Sequence, residues 1–142
     1  MSKLPFDFYF EDVDFDLKFK NEIASWLNKI ASDENKSIQL LEYIFCSDSY
    51  LLDINKTHLN HDFYTDIITF PLNNDPLEAT IFISIDRVVE NAKTFKDSFE
   101  NELHRVMVHG LLHLIGYNDK TEQEKEEMRS MENKALSERS FI

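Results

Sequence analysis

The run from Val106 to Ile115 (VMVHGLLHLI) constrains the fold more than any other segment, because it has helical spacing and is apolar on almost every side except for two histidines. A helix of that kind belongs inside the molecule, so His109 and His113 sit in or beside the core. Residues four apart on a helix share one face with Cβ atoms about 5–6 Å apart, which lets two imidazoles converge on one ion at about 2.0–2.1 Å. A buried neutral imidazole needs a partner for each nitrogen, and a divalent metal is one way to supply it. Two histidines at this spacing are a weak motif alone, and ordinary core hydrogen bonds are the alternative.

The next residues add a third donor. Gly116 stops the helix and reverses the chain, so Tyr117-Asn118-Asp119 can fold back toward the histidine face. Asp119 is then placed as an oxygen ligand beside His109 and His113, leaving the fourth position open as in catalytic zinc sites. Its other reading is a cap or dipole partner for the last helix. The motif is not the HExxH of zinc peptidases, since Gly110 stands where that motif carries its general base. A helical glycine costs up to about 1 kcal/mol relative to alanine, so Gly110 implies a close approach to the backbone, by a neighbouring strand or a substrate phosphate.

At 142 residues, 42% of them hydrophobic, the chain can bury one sizeable core, and one domain over residues 1–142 is expected. Two glycines, three prolines and no repeat or low-complexity segment predict order almost throughout. The acidic N-terminus has no secretory apolar region, and no run of about 18 apolar residues exists, which points to a soluble cytoplasmic protein with no membrane partner. Cys46 is the only cysteine, so a cysteine zinc cage and an intrachain disulfide are excluded. It is expected to pack as a small hydrophobe. A formal charge of -12 argues against a protein that coats nucleic acid, DNA included, without excluding RNA as a substrate. Arg87, Lys93, Lys96 and Arg105 read first as solvated helix faces; for an RNA substrate they are the phosphate contacts to test.

FDFYF has the period of a half-buried strand, and residues 18–32 carry a helical stripe of Ile23, Trp26, Leu27 and Ile30. LEYIFC predicts a buried strand that runs into a helix capped by Ser47 or Asp48. DIITF predicts a strand ending at Pro71, paired across the NNDP turn with TIFISI. Asp86 is expected to cap a helix carrying Val88, Val89, Ala92 and Phe95, and the histidine helix starts near Asn101. Thr121 and Glu124 form a capping box for a last helix whose Met128, Met131 and Ala135 face inward while its Glu and Lys face water. The class is α+β, a small sheet against several helices, rather than a doubly wound parallel sheet.

HGLLHLIGYND at 109–119 resembles the HGxLHLxGYDH signature of the YbeY family of bacterial metal-dependent endoribonucleases, and TDIITFP at 65–71 and IFIS at 81–84 are similar to the family's neighbouring strands. The resemblance spans about residue 40 to the GYND turn. It implies a zincin-like α+β domain with a mixed sheet, one zinc ion held by His109, His113 and Asp119, and cleavage of single-stranded RNA. It further implies 3′-end maturation of small-subunit ribosomal RNA and ribosome quality control, with rRNA and the small subunit as partners. Three positions depart from the family pattern. Asp119 replaces a histidine ligand, His58-Leu59 replaces Tyr-Arg and so removes a phosphate-clamping guanidinium, and Ala79-Thr80 replaces Gly-Asp. His58 and His61 are candidates for the missing arginine's electrostatic role, or else surface histidines. The other functions open to such a chain are a zinc hydrolase of peptides or small molecules, and a ribosome-associated binding protein with a closed metal site.

Overall fold

The computed structural model describes residues 4–60 and 65–142, in the order β1 (Phe6–Phe10), α1 (Lys20–Asp33), β2 (Ile38–Cys46), α2 (Asp48–Leu59), β3 (Ile67–Asn74), β4 (Leu77–Ser84), α3 (Ile85–Thr94), α4 (Phe99–Ile115) and α5 (Glu122–Ser137). The sheet order is β1-β2-β4-β3, with β1, β2 and β4 parallel and β3 antiparallel to β4 at one edge. This is the expected α+β mixed sheet, with β3 and β4 as the hairpin.

Period-2 alternation in β1, β2 and β4 puts Phe6, Leu41, Tyr43, Phe45, Ile81 and Ile83 on one face, where they form the main core with α1 and α4. The opposite face is covered near β3 by α2, through Leu51, Cys46 and Ile68. Burial pushes the Cys46 thiol up to about 12, with nearby Asp12, Asp86 and Asp48 adding to it, so it packs as the inert hydrophobe expected. Helix α4 is the centre of the helical layer and touches α1, α3, α5, β3 and β4. Tyr43 donates its hydroxyl to the Met107 carbonyl at 2.9 Å, and Trp26 Nε1 donates to the Ala135 carbonyl at 2.8 Å, fixing α4 on the sheet and α1 on α5.

Three local expectations are corrected. Helix α3 is capped by the Ser84 hydroxyl, which accepts from the Arg87 amide, while Asp86 accepts from the Asp48 amide at the start of α2. Phe95, expected inside, is 57% exposed because it stands at the C-cap of α3, where its ring leaves the Val88–Ala92 stripe. Strand β3 does not end at Pro71 but continues to Asn74. Since the Ser84 amide donates to the Asp66 carbonyl, the register turns the polar groups of residues 66, 68 and 70 toward β4 and those of 67, 69 and 71 toward the free edge. The amide that Pro71 lacks belongs to the free edge, so no ladder bond is lost.

The N-terminal half of α4 buries His104 between Trp26 and Phe141, and Arg139 donates to its Nδ1 at 2.9 Å. Burial, reinforced by the Arg139 charge, pulls its pKa from the ordinary 6.5 down to about 4. The unfolded chain takes up this proton before the folded one does, so stability is lost as pH falls from about 6.5 toward 4. Near pH 4 the loss amounts to about 3 kcal/mol. Denaturant titrations across that range should show this acid limb, and His104→Gln, which keeps an acceptor for Arg139, should flatten it. An equally steep limb in the variant would assign the loss to other groups.

Candidate metal centre and its cleft

Helix α4 starts at the Ser98 cap and ends at Gly116, whose φ of 128° lets its amide and that of Tyr117 bond back to the last carbonyls. The turn that follows is held from outside, since the Tyr117 hydroxyl donates to Glu34 at the end of α1 (2.8 Å). Thr121 and Glu124 make the capping box expected for α5, which leaves Asp119 free of the capping role considered for it.

Asp119 returns to the histidine face. Its Oδ2 lies 3.4 Å from His109 Nε2 and 3.3 Å from His113 Nε2, and the two rings stand 4.6 Å apart at a steep angle. Donors bonded at about 2.0–2.1 Å to a tetrahedral ion lie roughly 3.3–3.4 Å from each other, so the spacing fits one small ion with nitrogen and oxygen ligands. These residues form one group able to hold a metal, and no fourth protein donor joins them among the described residues.

Glu132 departs from its expected place. Expected to face water, it is buried on α5 with its Oε2 2.6 Å from His109 Nδ1 and its Oε1 3.0 Å from an Arg105 nitrogen. An ionised carboxylate can only accept, so the His109 proton is placed on Nδ1 and the Nε2 lone pair turns toward His113 and Asp119. Burial lowers the His109 pKa, but the hydrogen bond and charge of Glu132, followed by Asp119 and Asp66, raise it overall. Burial likewise works to raise Glu132, and the His109 and Arg105 hydrogen bonds outweigh it. One signal was available: Glu132 stands four after Met128 and three before Ala135, in the buried stripe itself.

Arg105 is therefore not a free phosphate contact. It is spent on Glu132 and on Asn133 Oδ1 (2.9 Å), and Arg87 is spent on Asp48. Lys93 pairs along its own helix with Glu90, and Lys96 stays exposed. His58 stands edge-on to Phe70 and lines neither cavity beside the metal group, and His61 lies outside the described residues.

Two cavities of about 700 Å³ meet at His109 and Asp119. One runs between α2 and the edge of β3, with Leu59, Asp66, Thr69, His113 and Leu114 in its walls. Burial raises the Asp66 pKa within it. The other runs along α5, past Lys125, Arg129 and Ser130. Gly110 sets how closely α4 meets the sheet: a Cβ there would stand 2.9 Å from Ile67 Cδ1. The neighbour that comes close at this glycine is a strand side chain.

A profile of the family described as Endoribonuclease YbeY matches residues 7–140. The chain belongs to the YbeY family. An Endoribonuclease YbeY from Cytophaga hutchinsonii is 53% identical over 136 residues, 94% of this chain and 95% of that one. One from Bacteroides thetaiotaomicron is 46% identical over 119 residues, 83% of this chain and 87% of its own length. The solution structure of TM1509 from Thermotoga maritima matches with a TM-score of 0.66 at 26% identity, covering 93% of this chain and 87% of that chain. Leu59, one of the positions expected to depart from the family pattern, lines the β3 cavity.

Proposed function

We propose that the chain is a zinc-dependent endoribonuclease cutting single-stranded RNA in the 3′-end maturation of small-subunit ribosomal RNA and in ribosome quality control, in the cytoplasm. Residues 1–142 act as one YbeY-like hydrolase domain with one ion on His109, His113 and Asp119. The observation that carries this reading is the donor triad, with its carboxylate oxygen 3.3–3.4 Å from both imidazole nitrogens, where two cavities meet, in a chain of the YbeY endoribonuclease family. A bound zinc ion would supply a Lewis acid for a phosphate oxygen and a water acidic enough to react near neutral pH. His109 and His113 present their Nε2 atoms from a rigid helix, Asp119 adds an oxygen from the turn, and Glu132 fixes the tautomer of His109. Among the described residues no helix is long and apolar enough to cross a membrane.

Metal analysis of purified protein, coupled to cleavage of unstructured RNA with and without a chelator, tests the reading. Close to one zinc per chain is expected, with cleavage abolished by chelation and restored by zinc. Cleavage indifferent to the chelator would trace to a contaminant. Metal-dependent peptide hydrolysis without RNA cleavage would move the chain to another class of metallohydrolase, and zinc with ribosome binding but no hydrolysis would make it a binding protein.

A further inference from the structure

The cavity along α5 has a chemistry that the cavity along β3 lacks. Lys125 and Arg129, one helical turn apart, both line it, while its inner end is His109 and Asp119. In a chain of formal charge -12, two cations beside the metal group stand out, and neither is spent on a buried partner. Lys125 has Glu122 at 3.6 Å, an exposed pair along the helix, which solvent makes weak. The Arg129 guanidinium extends to the Phe95 ring, 6.0 Å from its centroid. Phe95 is the large aromatic that leaves the α3 stripe and stands 57% exposed. Cations that track a backbone, next to an exposed aromatic face, are the combination that holds single-stranded nucleic acid, because every base has a π-face and every linkage a charge.

Resting on the endoribonuclease reading, we propose that the α5 cavity is the strand-holding arm of the site: Lys125 and Arg129 bind RNA phosphates on one side of the reacting linkage, and Phe95 stacks the base beyond them. This places the phosphate-holding cations in a different cavity from Leu59, the position where the resemblance expects an arginine. The β3 arm, walled by Leu59, Ile67, Thr69, Pro71 and Leu114, has no Lys or Arg among its described lining residues and would take the other part of the strand without charge pairing.

The test uses zinc-loaded protein and a short fluorescent oligouridylate, with KM and kcat read across a salt series. Arg129→Gln with Lys125→Gln should raise KM and reduce the slope of log affinity against log salt by about 1.4, or roughly 0.7 for each single-strand phosphate left without its cation. Phe95→Ala should weaken binding about tenfold with the salt slope unchanged, and Phe95→Tyr should restore it. Zinc content should be unaltered in all of them, and Lys134→Gln, on the same helix but outside both cavities, should behave as the parent. Unchanged KM and salt slope in the double variant, with the parent cleaving RNA, would overturn the strand-holding arm and leave the endoribonuclease reading standing. A parent that holds zinc yet neither binds nor cuts the oligonucleotide would overturn both.

Discussion

Alanine in place of Glu132 should lower the unfolding free energy by about 3–5 kcal/mol and weaken zinc binding by roughly 10–100-fold, although this carboxylate is not itself a ligand. Two partly buried groups depend on it. Arg105, whose side chain is 14% exposed, would lose its ionic partner and keep only Asn133, and His109 would lose the acceptor that sets its tautomer. Glu132→Gln keeps an acceptor oxygen but no charge, so it should fall between the parent and the alanine variant in both readouts. Urea unfolding and zinc titration of the same samples check this, and a stable, tightly zinc-binding Glu132→Ala would mean that the buried pair is ornamental. The same geometry changes what Arg105→Glu would do: it would press two carboxylates together in the core and unfold the protein, rather than report on RNA contacts.

Asp119→Ala should remove most of the zinc affinity and abolish metal-dependent cleavage with little effect on stability, since the side chain is partly exposed and α5 is capped by Thr121. Asp119→His should retain zinc, because the turn carries the donor and an imidazole can serve there. A carboxylate also leaves the bound ion less electrophilic than a neutral imidazole does, so the histidine variant is expected to cleave at least as fast as the parent. Equal zinc content in parent, alanine and histidine proteins would show that Asp119 is not a ligand.

The triad was legible because its geometry is local: a helix repeat brings His109 and His113 together, and Gly116 fixes where the next residues go. The rest depended on contacts between distant segments. Glu132 lies 23 residues from His109, among glutamates that do face water, and only the packing of α5 on α4 separates it from them. Arg105 looked like the other cations until that packing paired it. Phe95 continues the spacing of an apolar stripe, but α3 ends just before it. Ser84 and Asp86 both have capping chemistry, and Asp86 was drawn off by the amide of Asp48, 38 residues away. Pro71 reads as a stop unless the neighbour on each side of its strand is known.

The free edge of β3 bears on how the protein behaves at high concentration. An open edge invites a strand from another molecule, and here such a strand would lie in the cleft and compete with the substrate. The Thr65 hydroxyl already donates to the Ile67 carbonyl at 3.4 Å, and Pro71 offers no amide, so the edge presents fewer free groups to an intruding strand. The proline that reads as the end of a strand thus blunts the open edge that borders the candidate cleft.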